Sequence, residues 1–265
     1  MSVRFLGALA LGVMLAASFA MDLRPGASYS EQHREHTDAP PSRRFPLGTD
    51  HLGRDRLVRL LYATRISLLL AGAASLGAML LAVAAGGMSG YLGGWPDRLL
   101  VRIIDLMLSL PWLFLLLVVR AALPLNASPI ASLAVTYALL ALLGWASPAR
   151  VVRASVRSLR DSEFVLQARA MGCPGSRVFL RQILPNLKPI LLAQFWTSIP
   201  VFILGEANLG FLGLSAGEPF PTWGNLLREL QSPLALRPES FAAVALVAIS
   251  VACFKFVSPL GGSQV

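Results

Sequence analysis

Lysine, cysteine and histidine are nearly absent. Lys188 and Lys255 are the only lysines among 23 basic residues, and the chain has 2 cysteines and 3 histidines. Cys173 and Cys253 are too few and too far apart for a disulfide framework, and neither lies in a CxxC spacing. All three histidines, His33, His36 and His51, fall between residues 22 and 65, so the apolar runs carry no histidine base. His33 and His36 sit near Glu31, Glu35 and Asp38, but no ordered scaffold is evident there to hold ligands. The segment reads as a solvated linker, with no metal site. A Gly-x4-Gly-Lys-Ser/Thr loop, a His-Glu-x-x-His pair and a Gly-x-Ser-x-Gly elbow are all missing. The chain therefore holds no ATP by the phosphate-loop route. No stretch interleaves basic and aromatic residues, so the net charge of +9 does not indicate a nucleic-acid partner. No internal repeat or low-complexity tract occurs.

Apolar sequence is plentiful instead. Hydrophobic residues make up 55% of the chain and charged ones 14%, against about 25% charged in soluble domains. Mean hydropathy is +0.63. A bilayer core needs roughly 20 apolar residues in a helix, and runs of that grade occupy residues 5–21, 66–96, 106–123, 130–149, 189–205 and 240–260. The expected fold is an all-α integral membrane protein of about six transmembrane helices. Residues 1–22 form an anchor helix, 23–65 a polar linker, 66–260 a core of five spans, and 261–265 a short tail. Ser18-Phe19-Ala20 would also pass as a cleavage site, which would leave five spans.

Two long stretches between spans stand out. Residues 150–188 carry eight Lys or Arg against two acids. Within them Gly172 and Pro174-Gly175 spell a helix stop. Upstream, residues 163–171 suit a short helix with Val165, Ala168 and Met171 on one side; downstream, Ser176 suits the cap of a second helix ending at Pro185. A helix, a break and a helix make a rigid handle for another protein. Residues 206–239 mix Gly, Pro and Trp with apolar residues, which suggests an irregular hairpin, packed on protein or lining a wet cavity. Trp223 alternatively suits headgroup depth. Arg102 and Asp105, three apart on one helical face, are expected to pair, and Arg120 and Lys255 to snorkel. Pro200 is expected to kink its span. The positive-inside rule puts residues 93–104 and 150–188 in the cytoplasm and 22–65, 124–129 and 206–239 outside. Eight arginines in 22–65 run against that rule.

The motifs resemble a known family. Gly172 and, at the expected spacing, Ile183-Leu184-Pro185-Asn186 look like the "EAA" loop of binding-protein-dependent ABC importer permeases, although Leu166-Gln167-Ala168 stands where Glu-Ala-Ala is usual. FPLGTDHLGRDRLVRLLYATRISL is similar to the "HPLGTDxLGRDxxSRxxYGxRxSL" segment of the dipeptide/oligopeptide/nickel branch, and FLGL, Pro219, Pro221 and Trp223-Gly224 to its "SFLGLGxxPPxPSWG" segment. Asp97 to Pro111 resembles "DxxxMRxxDxxLxxP".

The resemblance implies a type I importer permease whose "EAA" loop forms a coupling helix against a cytoplasmic ATPase. Glu163, Gln167, Ala168, Met171, Gly172, Leu184 and Pro185 would belong to that loop. Glu206, Phe211, Leu212 and Trp223 would stand at the outer mouth. The implied partners are a second homologous permease forming a heterodimer, two ABC ATPases that bind ATP and Mg, an extracytoplasmic substrate-binding protein and the lipid bilayer. The chain itself would be a multi-pass subunit of a bacterial plasma membrane, without catalytic residues or cofactor. It would occupy the second, "C", permease position, importing di- or oligopeptides, or alternatively nickel or haem. A membrane enzyme would want paired carboxylates or a histidine in the spans, and a secondary transporter several intramembrane acids and repeats. No acid lies within the four middle spans as bounded above; Asp105 stands one residue before the 106–123 run.

Overall fold

The computed structural model describes residues 3–23, 28–123, 128–231 and 238–258; the tail 261–265 lies outside them. Among the described residues the fold is all-α, with five helices long and apolar enough to cross a membrane, or six if one bent pair counts as a span. The helices are α1 (Val3–Ala20), α2 (Arg56–Leu92), α3 (Gly94–Ser109), α4 (Trp112–Ala121), α5 (Pro129–Gly144), α6 (Ala146–Arg160), α7 (Glu163–Ala170), α8 (Lys188–Phe211), α9 (Trp223–Arg228) and α10 (Ala242–Val257). Helix α2 packs on α1, α5, α6 and α8, α8 packs on α9 and α10, and α1 closes on α10.

Several elements overrun their apolar runs. Helix α2 begins ten residues before the uncharged stretch, because Asp55 caps it by accepting from the Leu57 and Val58 N–H groups at 2.9 and 3.3 Å. It runs for 37 residues, roughly 55 Å at 1.5 Å per residue, to Gly93 at φ 69°. Helix α6 carries the α5 span on to Arg160, so Arg150, Arg153 and Arg157 project from a helix rather than a loop. Ala149, Val152 and Val156 supply the buried stripe that makes it helical. Helix α8 likewise continues to Phe211 and brings Glu206 into the span, with Pro200 inside it.

The bent pair is α3 and α4. Leu110 is extended (φ −87°, ψ 138°), as a residue before proline prefers, and α3 and α4 meet at 84° across Leu110–Pro111. Helix α4 has 10 residues, about 15 Å, half a bilayer core. The helix after Gly175 does not stop at Pro185. A wide π turn over Phe179–Ile183 precedes that proline, where a regular turn would demand its missing N–H and crowd its ring, and the chain passes on through Asn186 into α8.

Helices touch where side chains are small. A Cβ on Gly86 would overlap the Ala149 carbonyl oxygen, and one on Gly90 would lie 2.7 Å from that of Arg153, so α2 and α6 meet backbone to backbone. The same holds where α9 crosses α8: a Cβ on Gly224 would lie 2.7 Å from the Gly210 Cα and 2.9 Å from the Glu206 carbonyl oxygen. Gly7 packs α1 onto the Cys253 carbonyl of α10.

Gly224→Ala therefore forces α9 away from α8, at about 1–3 kcal/mol. The expected readout is a lower melting temperature of the detergent-solubilised chain; an unchanged midpoint would mean that the two backbones do not touch.

Candidate functional site

At one end of the bundle α7 lies across α6. Val165 and Ala168 are buried with Val152, Val156, Val178, Ile183 and Leu187, whereas Met171 is 77% exposed rather than sharing their face. The helix ends one residue before Met171, which turns out of it. Gly172 adopts φ 76°; its N–H reaches the Arg169 carbonyl at 2.9 Å and the Cys173 N–H that of Ala168 at 3.1 Å. This pair of bonds is a Schellman stop, which needs a left-handed residue at that position. A Cβ on Gly172 would meet nothing within 4 Å, so glycine is required there by its φ and not by space. Pro174, not Ser176, stands at the start of the next helix.

Tyr91, from the end of α2, braces this loop. Its hydroxyl lies 3.2 Å from where a Gly175 Cβ would sit, its ring is 5.5 Å from that of Phe179, and the Arg169 guanidinium stacks 5.4 Å above it. Arg153 of α6 grips Asp97 of α3, one of its two bonds measuring 2.7 Å. Glu163, Phe164, Leu166, Gln167, Gly172 and Pro185 face outward, while Leu184 is half-buried. The outcome is a braced, mostly exposed platform.

Asp105 does not pair with Arg102. It accepts from Arg150 of α6 at 2.6 Å, both side chains being more than half exposed. A guanidinium from a neighbouring helix reaches that carboxylate, which hydropathy along one helix cannot show.

The opposite end is closed by charge. Asp50, Arg54 and Arg59 are at most 1% exposed. Arg54 bonds Asp50 at 2.6 Å and Glu218 at 2.5 Å, while Arg59 lies 3.6 Å from Asp50 and 3.5 Å from Glu229. The arginines thus tie residues 50–59 to the segment 218–229. Burial opposes ionisation of Asp50, but the Arg54 backbone N–H and guanidinium, with the Arg59 charge, outweigh it and hold its carboxyl below the usual range. At Glu229 burial prevails over the nearby arginines and pushes the carboxyl up. The sequence reading missed this cluster, although Asp50, Arg54 and Arg59 all stand in the LGTDxLGRD segment.

Between the two ends, Trp223 is fully buried rather than at headgroup depth, its indole N–H donating to Thr64 at 3.2 Å. Glu206 is equally buried, accepting from Ser215 at 2.8 Å, with the Thr222 hydroxyl and Gly224 N–H against it. Phe211 and Leu212, at the end of α8, are exposed. Arg120 does not snorkel: it is 1% exposed and donates to Ser132 and Thr136.

Comparison with known proteins gives a consistent set of relatives. Residues 79–260 match the family described as binding-protein-dependent transport system inner membrane component. The oligopeptide transport system permease protein OppC of Bacillus subtilis is 32% identical over 230 residues, 86% of this chain and 73% of that one. The dipeptide transport system permease protein DppC of Alkalihalophilus pseudofirmus is 34% identical over 224 residues, 83% of this chain and 72% of its own. The glutathione transport system permease protein GsiD of Pectobacterium atrosepticum is 32% identical over 233 residues, covering 88% and 75%.

Asp50→Asn leaves two buried guanidinium groups short of their counter-charge and is expected to cost about 3–5 kcal/mol. Glu218, 55% exposed, is expected to lose at most about 1 kcal/mol as Gln. Thermal stability in detergent separates the two; equal losses would refute the buried-cluster account.

Proposed function

The chain belongs to the binding-protein-dependent transport system inner membrane components, and from that premise we propose that it is the second, "C"-type, permease subunit of an ATP-driven importer of di- and oligopeptides. The peptide assignment rests on relatives named for dipeptide, oligopeptide and glutathione transport, matched along most of both chains. The chain spans the bacterial plasma membrane several times, with α1 retained as an anchor; Gly7 against α10 and Asp22 against Arg65 and Tyr62 support that retention. It pairs with a second, homologous permease, and each contributes half of the path. A substrate-binding protein delivers peptide to the end bearing Phe211 and Leu212.

The observation that carries the coupling role is the braced platform of α7 and Gly172. Two ATPase subunits, which bind the ATP and Mg, would seat one such platform each, with Glu163, Gln167 and Met171 presented to the ATPase, and Ala168, Leu184 and Pro185 shaping the platform from behind and beside it. A platform can transmit force only if it does not slip on its own protein. Burial of Val165 and Ala168 on α6 and the Tyr91 brace meet that need. This chain supplies no chemistry of its own; ATP closing the ATPases moves both platforms, and the helices alternate access.

A mild-detergent pull-down of the chain from its native membrane tests the reading. Recovery of a second permease and of P-loop ATPases is expected, and recovery of the chain alone or as a homo-oligomer would sink it. Gly172→Val forces a β-branched residue into a left-handed turn, a cost of at least about 1–2 kcal/mol. It is expected to lower ATPase recovery roughly tenfold while the second permease is still recovered; full ATPase recovery would remove Gly172 from the docking surface.

A further inference from the structure

The bend at Leu110–Pro111 has a second side. Leu108 before the bend and Trp112 after it line, with Leu143, Gly144 and part of α8, a cleft of about 300 Å³. Trp112 and Phe202 form its floor, their ring centroids 6.4 Å apart. On α8 the wall is Gln194, Thr197, Ser198 and Val201, one stripe at helical spacing. Ser147 of α6 adds a hydroxyl from across the cleft.

Polar side chains inside a membrane face protein or a wet cavity, and so does backbone that leaves the helix. Here polar side chains of α6 and α8 line a cleft whose other residues, Leu108 and Trp112, flank such a break. The Thr197 hydroxyl donates to the Ala193 carbonyl at 2.9 Å and that of Ser198 to Gln194 at 2.8 Å, so what they offer the cleft is acceptor oxygen. The Gln194 side chain adds an amide that both donates and accepts. No Asp, Glu, His, Cys, Lys or Arg is among the lining residues, so the cleft has neither ligands for a metal ion nor a counter-charge for a salt. The nearest ion pair, Asp105–Arg150, lies one helical turn from Leu108 and Ser147 and is satisfied within itself at 2.6 Å.

We propose that this cleft is the chain's share of the substrate-contacting path and that it reads the backbone amides of an extended peptide, with Gln194 as the principal contact. The inference rests on the peptide-importer reading and goes further by naming the residues and the chemical group they recognise. Alternating N–H and C=O groups match a neutral wall of acceptors and one amide, whereas a bare metal cation does not. Side-chain selectivity would be low, because nothing in the cleft discriminates charge.

Two measurements on the assembled importer test this. Gln194→Leu keeps the volume and removes the amide; trialanine uptake is expected to fall about tenfold while the variant co-purifies with its partners. In a chain with Cys173 and Cys253 replaced by alanine, Thr197→Cys is expected to react with a charged, membrane-impermeant thiol reagent, more slowly when trialanine is present. Uptake by the Gln194 variant within twofold of wild type, or a Cys at 197 that the reagent never reaches, would overturn the proposal. A wild-type assembly that takes up no trialanine refutes the peptide reading instead. The thiol reaction then still decides whether the cleft is wet: no reaction removes it from any path.

Discussion

A chain crossing hydrocarbon must satisfy each backbone N–H and C=O within the protein, since no water is there to accept them. Most of this architecture follows from that demand. It makes the described fold all-helical, and it leaves the bend at Leu110–Pro111 as the place where the helical ladder is interrupted. It also limits what can hold helices together, because lipid tails compete equally for apolar side chains. Gly86 and Gly90 of α2 against α6, and Gly224 of α9 against Gly210 of α8, answer by letting backbones approach without intervening side chains.

Charge is handled by the same logic. Arg54 and Arg59, buried near the head of α2, face Asp50, Glu218 and Glu229, and Arg65 faces Asp22. The arginine excess of residues 22–65 weighed against an outer location when the sequence was read alone. Part of that weight is removed because three of the eight, Arg54, Arg59 and Arg65, are paired with acids in the fold rather than free in a loop. The arginines of α6 behave differently: Arg150 and Arg157 remain about half exposed although each has an acid nearby.

The parts legible in sequence were those with local causes. The apolar runs located the spans, and Gly172 with Pro174 located the stop of α7, since a left-handed cap and a missing N–H act on their own neighbours. The illegible parts depended on distant partners. Hydropathy leaves Arg56 and Arg59 in the polar linker and Glu206 in the hairpin, yet each lies within a helix because another segment supplies a partner: Ser240 accepts from Arg56, Glu229 faces Arg59, and Ser215 donates to Glu206. Residue type alone puts Arg120 at the interface and leaves Trp223 between a packed hairpin and headgroup depth; both are buried because Ser132 and Thr64 supply partners. Asp105 was paired with the nearest arginine along the helix, and the structure prefers one across it.

Helix α2 is anchored at both extremities and touches α6 near one of them. From the Gly86 contact to Tyr91 is about 8 Å along the axis, and from Gly86 to Arg59 about 40 Å. The α6 contact falls in the π turn over Val83–Gly87, the widest part of the helix, and a single run of backbone from there joins the braced loop at Tyr91 to the buried charges at Arg59.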